Sequence, residues 1–194
     1  RFVTDSLVAE LVVAAGVPWF QRQEAMSRLL EHPTASSHAI ASCIELCDDP
    51  SPPVIEPLSL LEVTQHPDAN RYVLRQIEQP TDDRTLLGAL LAAERKIRKG
   101  HLGRVDLTNL ATHIRSLMGD ATIIPTLLPL IVDVGRSISL HAPHTATALR
   151  NALPRDTLAR HVWDRDRVAD SSVSQSVALQ VCMIAQSGLA DDRI

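Results

Sequence analysis

The pentapeptides EHPTA at residues 31–35 and QHPDA at residues 65–69 are one short phrase that occurs twice, 34 residues apart. Each copy follows one apolar segment and precedes another. Proline is tolerated in the first turn of a helix but breaks a helix interior. The phrase is therefore predicted to separate helices, with each histidine ending one helix and each proline beginning the next. A repeat at this interval is typical of stacked helical hairpins.

The rest of the chain also favours helix. Residues Leu107, Leu110, Ala111 and Ile114 have the spacing of one helical face, and aromatic residues, which strand-rich proteins use heavily, make up only 3% of the sequence. We predict an all-α fold of antiparallel helical hairpins, because most connections are short. Eleven helices are predicted, over residues 5–15, 18–31, 34–47, 53–65, 68–79, 82–99, 107–118, 121–134, 144–152, 155–164 and 172–186.

Cap signals mark some of these boundaries. Thr81 is predicted to cap the helix over 82–99, which has acids in its first turn, bases in its last turn and Gly100 beyond it. Asp106 is predicted to cap the next helix and Gly119 to end it.

The array of hairpins resembles HEAT or armadillo-type helical repeats. Residues 121–134 (ATIIPTLLPLIVDV) are similar to the first helix of a HEAT repeat, which often holds a proline. The resemblance implies a right-handed stack of hairpins with a long concave face for partner proteins; an irregular helical bundle is the alternative. Residues 1–194 are predicted to form one domain, because the connection at 100–105 is too short for a boundary. The chain begins at Arg1 without an initiator methionine, which suggests a mature form after removal of a presequence or a piece of a longer protein.

Several residue types suggest chemistry. Cys43 and Cys47 lie one helical turn apart and could bind a metal, but there is no second pair and core packing is favoured. His141 and His144 could act as ligands or as acid and base, yet no carboxylate is near in sequence. No phosphate loop, dinucleotide motif or nucleophile elbow occurs, so no enzyme activity, metal or cofactor is predicted. An odd number of cysteines indicates a reducing compartment, the cytoplasm or an organelle interior.

Two charged segments are candidate interaction surfaces. The bases at 95–99 either contact an anionic partner or form a solvated helix end that complements the macrodipole. Trp163 beside the charged residues 164–167 either anchors an interface or covers the core, whereas Trp19 and Phe20 have the spacing of core residues. The predicted interaction surface consists of Trp163, Arg165, Arg167, Arg95, Lys96, Arg98 and Lys99.

The predicted function is a non-catalytic protein–protein interaction scaffold, or a structural subunit of a larger assembly, whose partners are other protein subunits. The net charge of −4 disfavours nucleic acid as a partner. The longest uncharged apolar run, 121–132, is too short to span a membrane and contains two prolines. Three alternatives remain: a ligand-sensing domain that binds a small molecule, a nucleic-acid-binding helical regulatory domain, and an enzyme, for which His141, His144 and Asp133 are the local candidate residues.

Overall fold

The computed structural model describes residues 2–14, 16–32, 35–49, 57–120, 127–153 and 163. All regular structure in these ranges is helical, which confirms the all-α prediction. The α-helices are α1 (Phe2–Val13), α2 (Trp19–Glu31), α3 (Ser37–Cys47), α4 (Pro57–Leu60), α5 (Pro67–Glu78), α6 (Asp83–Arg98), α7 (Arg104–Gly119), α8 (Leu128–His141) and α9 (Ala146–Ala152). Two 3-10 helices, η1 (Leu61–Val63) and η2 (Pro143–Thr145), precede α5 and α9. Within the described ranges, no helix is both long and apolar enough to cross a bilayer.

The helices differ from the eleven predicted in number and in some bounds. The helix predicted over 53–65 is the short α4 followed by η1. The helix predicted over 121–134 instead begins at Leu128, with Pro129 in its first turn, and continues to His141. Proline is well placed there because the first helical N–H groups have no intrahelical acceptor. The predicted helices over 155–164 and 172–186 lie outside the described residues, except for Trp163.

Both ends of α6 are capped. Asp82, rather than the predicted Thr81, is the N-cap residue, and its Oδ1 accepts a hydrogen bond from the Thr85 N–H at 2.7 Å. At the other end, the predicted glycine Gly100 has a φ of 68°. The N–H of His101 donates to the Lys96 carbonyl at 2.8 Å, and that of Gly100 donates to the carbonyl three residues earlier at 3.0 Å. This pair of bonds is a Schellman motif, which requires the left-handed conformation that glycine adopts freely.

Helix α7 begins earlier than the sequence predicts. Its first residue is Arg104, so Asp106 is inside the first turn rather than at the cap position. The Asp106 carboxylate accepts a hydrogen bond from the Gly103 N–H at 3.2 Å. The acid therefore satisfies a free N–H from inside the helix, as in one half of a capping box. Gly119 ends the helix as predicted.

The two copies of the repeated phrase have different roles. His32 follows the last residue of α2, and its N–H donates to the Leu29 carbonyl. His66 does not end a helix as predicted; it caps the start of α5, where its Nδ1 accepts from the Asp68 N–H at 3.3 Å. Pro67 is the first residue of α5, as predicted. The phrase therefore lies at a helix boundary in both places, but its two histidines are not structurally equivalent.

The chain divides into two compact units, Arg1–Leu102 and Gly103–Ile194. The division falls within the connection at 100–105 that the sequence suggests is too short for a boundary. In the first unit α1 packs against α2 and α3, and α6 packs against α4 and α5; in the second, α7, α8 and α9 pack together. Among the residues that the structure describes, the largest fully buried apolar side chains are Met26, Leu30, Ile40, Leu46, Leu61, Ile77, Leu90, Ile97, Leu110, Ile114 and Ile131. Burial of each such side chain contributes roughly 1.5–3 kcal/mol.

Candidate functional site

Lys96 is the most unusual residue in the first unit, because its side chain is 0% exposed. Its ammonium donates to the Thr64 carbonyl at 2.5 Å and to Asn70 Oδ1 at 2.8 Å. A buried charge is tolerated only where hydrogen bonds replace its hydration. The prediction that Lys96 lies on an interaction surface is therefore wrong. Its register explains the burial, since Lys96 continues the buried row of Ala89 and Ala93 on α6.

Asn70 and His101 extend the network around Lys96. While Asn70 Oδ1 accepts from the lysine, its Nδ2 donates to the His101 carbonyl at 3.0 Å. His101 Nδ1 lies 3.1 Å from the Glu62 carbonyl. A carbonyl can only accept, so Nδ1 carries the proton in this bond. The resulting buried network, Glu62–Thr64–Asn70–Lys96–His101, connects the end of α6 to η1 and to the first turn of α5.

His101 gives the buried network a dependence on pH. Burial lowers the pKa of His101 below 6.5; the nearby charges of Lys96 and Lys99 lower it further, and the bond to Glu62 opposes the shift. The His101 imidazole therefore takes up a second ring proton less readily in the folded protein than in the unfolded chain. The contribution of neutral His101 to the free energy of unfolding is fully present above pH 6.5, which is the pKa of histidine in the unfolded chain. It decreases as the pH falls through the lower pKa of the folded protein.

We expect acid to destabilise the wild type more than it destabilises the His101→Asn variant. Asparagine can still donate to the Glu62 carbonyl, but it does not titrate. The free energy of unfolding, measured by urea denaturation from about pH 7.5 to about pH 5, should decrease less in the variant. An equal decrease in both proteins would show that His101 does not contribute to the pH dependence.

The bases at the end of α6 that remain near solvent are paired with acids of the same unit. Arg95 Nη1 lies 2.5 Å from Glu62 Oε2, and Lys99 Nζ lies 3.6 Å from Glu62 Oε1. Arg98 forms an ion pair with Glu94 one turn earlier. The three bases are at the surface, but Glu62 is half-buried and Glu94 is buried, so an anionic ligand that bound one of these bases would draw it away from an enclosed carboxylate. This helix end is therefore a poor surface for an anionic partner.

A second polar cluster surrounds the end of α3. Burial raises the pKa of the Cys43 thiol to about 12, and burial, with the Cys43 thiol and Asp48 as smaller causes, raises the pKa of Cys47 well above its usual value. The Tyr72 hydroxyl donates to Asp48 Oδ1 at 2.5 Å. Burial and then this bond raise the pKa of Tyr72. Metals and electrophiles react with thiolates, and the raised pKa values disfavour the thiolate form of both residues. The prediction of core packing is confirmed for Cys43, whereas Cys47 is half-buried.

Arg22 connects three helices close to the end of α3. It is buried, and its Nε donates to the Val12 carbonyl at 2.8 Å while Nη2 donates to Asp49 Oδ2 at 2.9 Å. The guanidinium also lies 5.9 Å from the centre of the Trp19 ring. One arginine therefore joins the end of α1, the start of α2 and the end of α3.

The two histidines near the end of α8 do not converge on one site. His141 Nδ1 lies 2.9 Å from the Ser137 carbonyl, whereas His144 Nε2 lies 3.2 Å from Thr108 Oγ1. The Thr108 hydroxyl donates to the Arg104 carbonyl at 2.9 Å, so its oxygen is an acceptor for His144. An activated threonine would instead donate to the imidazole. No group of three or more potential metal ligands occurs among the described residues.

Trp163 is half-buried and lies over α8. Its ring carbon Cζ3 would be 3.5 Å from a Cβ atom placed on Gly135. This position fits the predicted role of covering the core. Arg165 and Arg167, the other members of that predicted surface, lie outside the described residues.

Apolar side chains are exposed at the turn between α1 and α2, a surface that was not predicted from the sequence. Phe20 is 65% exposed, although its spacing suggested a core position. Leu11 and Pro18 are also exposed, and Val17 and Trp19 are half-buried. We call these five residues the α1–α2 tip. The helical register of Phe20 could have predicted its exposure. Glu24 and Arg28 follow at i+4 and i+8, so Phe20 lies at the start of the polar face of α2.

Comparison with models of known protein families, with curated proteins and with solved structures finds no match to this chain. The α1–α2 tip and the two polar clusters are therefore the features that bear on function. The polar clusters hold helices together, and the tip presents apolar side chains to solvent.

Proposed function

We propose that this chain is a non-catalytic protein–protein interaction scaffold or a structural subunit of a larger assembly, and that the α1–α2 tip contacts another protein. The exposure of Phe20 carries this proposal. Four of the five tip residues are consecutive, and all five are apolar. Exposed apolar residues grouped in this way mark interaction sites, and buried aromatic anchors supply much of the energy of protein interfaces.

The polar contacts of the first unit support the same proposal. Lys96, Asn70 and His101 bond to one another or to backbone, and Arg22 joins three helices. Buried and half-buried side chains that form such hydrogen bonds stabilise the fold. The nucleic-acid alternative loses its candidate surface because the bases at 95–99 are either buried or paired with Glu62 and Glu94.

A HEAT-like stacking of hairpins is our proposal for the helices within each unit. The main packing partners lie one or two helices apart in the chain, as in α1 with α2 and α3, or α7 with α8 and α9. Repeat proteins are built from such nearest-neighbour contacts. The repeated phrase at 31–35 and 65–69 does not add support, since its two histidines have different roles.

We also propose that the protein works in a reducing compartment, the cytoplasm or an organelle interior. Cys43 and Cys47 are both free thiols. The thiol of Cys43 is enclosed in the core, where packing accounts for its presence without a disulfide.

Photocrosslinking tests the proposed contact. With p-benzoylphenylalanine at position 20 of the full chain, expressed in cells of its source, we expect one reproducible crosslinked protein partner. Glu78 is the matched control position, because it is also exposed and lies in the same unit, on α5. The Phe20→Ser variant should bind the captured partner at least about tenfold more weakly while remaining folded, since removal of an aromatic anchor often costs more than 1 kcal/mol. Absence of a crosslink at position 20, or the same crosslinks at both positions, would refute the proposal.

A further inference from the structure

We propose that the partner segment docked on the α1–α2 tip is basic as well as apolar: an aromatic or aliphatic anchor flanked by lysine or arginine. This inference rests on the proposed function and adds the charge of the partner. It comes from the charged residues that border the tip and from the direction in which its nearest arginine points.

Acidic residues border the tip on both of its helices. Glu10 is exposed on α1 directly before Leu11. Glu24 is exposed on α2 one turn after Phe20, on the same helical face. A partner segment that packs against the phenyl ring can pair its own bases with these carboxylates.

One of the two arginines of α2 points away from this acidic border, and the other forms an exposed ion pair with Glu24. Arg22, the base closest to the tip in sequence, points inward to the Val12 carbonyl and to Asp49. Arg28 pairs with Glu24, with 2.5 Å between the nitrogen and the oxygen, and both side chains are exposed. An exposed pair of this kind contributes about 0–1 kcal/mol. A base on the partner can therefore replace Arg28 at little cost.

The same border disfavours two other occupants. A second copy of this chain, docked tip to tip, would bring Glu10 and Glu24 against the same carboxylates. A membrane surface rich in anionic lipid would repel them. A basic protein segment is the occupant that satisfies both the apolar tip and its acidic border.

Selection from random peptides tests this inference. Peptides displayed on phage would be selected on the immobilised full chain and counter-selected on the Phe20→Glu variant. We expect the enriched peptides to combine an aromatic residue or leucine with lysine or arginine. Their affinity should fall roughly tenfold in the Glu10→Lys, Glu24→Lys double variant, and this difference should shrink at high salt, where exposed charges are screened. The Glu78→Lys variant, with its charge change on α5, should bind like the wild type.

The possible outcomes separate the inference from the proposed function. If no peptide depends on Phe20, the tip is not a docking surface and both fail. If peptides depend on Phe20 but are acidic or neutral, or if they bind the double variant unchanged, the inference alone fails. Binding of phosphatidylcholine vesicles that is lost in Phe20→Ser would replace the protein partner with a membrane surface. A dimer that is lost in Phe20→Ser would replace it with a second copy. Either result would overturn the inference.

Discussion

Replacement of Lys96 with methionine is expected to lower the free energy of unfolding by about 2–4 kcal/mol, because two buried acceptors would lose their donor. Methionine has nearly the length of lysine and fills the same space, so packing is largely kept. The Thr64 carbonyl and Asn70 Oδ1, however, lose the ammonium that now lies 2.5 Å and 2.8 Å away. Removal of the charge also removes its cost of burial, but one-sided replacement of a buried polar contact is generally destabilising.

Lys99→Met is the matched control for this change. Lys99 is on the same turn of the chain, but its side chain is partly exposed and its nitrogen is 3.6 Å from Glu62. Its replacement should change stability by no more than about 0.5 kcal/mol. Urea denaturation followed by circular dichroism measures both variants. If Lys96→Met is as stable as Lys99→Met, the buried network does not hold α6 in place.

A double-mutant cycle tests whether Lys96 and Asn70 act as a pair. Asn70→Leu alone leaves the buried ammonium with fewer acceptors and removes the donor to the His101 carbonyl. Each single change loses the Lys96–Asn70 bond, so the sum of the two single changes includes that loss twice. The double variant loses the bond only once. The double variant should therefore be more stable than the sum of the single changes predicts, by about 1 kcal/mol or more.

Helical register was a better guide to burial than residue type. Lysine suggested a surface position for Lys96, whereas its place in the row of Ala89 and Ala93 indicates the core. Phenylalanine suggested a core position for Phe20, whereas its place in the row of Glu24 and Arg28 indicates the surface. Both errors have one cause: each side chain contradicts the polarity of its own helical face. Such residues are where a structural or functional role is to be expected.

Local signals predicted the parts of the fold that depend on neighbouring residues. Gly100 ends α6 and Pro67 begins α5, because backbone geometry within one turn decides both. The bounds of α2, α5 and α6 agree with prediction within one or two residues. Helix α8 does not, since its apolar residues continue through Gly135 to its last turn and Pro129 was assigned to the middle of a helix rather than to its start.

The buried network lay beyond sequence reasoning for a physical reason. Lys96 bonds to residues 26 and 32 positions earlier, and His101 bonds to Glu62, 39 positions earlier. Helical periodicity relates residues only three or four positions apart. The pairing of a lysine with a distant asparagine depends on how helices pack, which no local pattern specifies.

Replacement of Gly135 with valine is expected to destabilise the second unit by about 2–3 kcal/mol through overpacking. A Cβ atom at this position of α8 would lie 2.6 Å from Met118 Cε and 3.2 Å from Ile114 Cγ2. The end of the methionine side chain can move, but Ile114 is fully buried and branched, so it can move little. Valine adds two further methyl groups. Glycine within a helix costs about 1 kcal/mol relative to alanine, so its presence here fits a need for close packing.

Two comparisons separate overpacking from other effects of the Gly135→Val change. Gly119→Ala, at the end of α7, adds a Cβ that meets no atom within 4 Å, and it should be neutral or slightly stabilising. Met118→Ala removes the side chain closest to the new Cβ. Gly135→Val should therefore cost at least about 1 kcal/mol less in the Met118→Ala background than in the wild type, because the added methyl groups occupy the space that methionine leaves. Thermal or urea unfolding of the four proteins gives this difference. An equal cost in both backgrounds would mean that contact with Met118 is not what requires glycine at position 135.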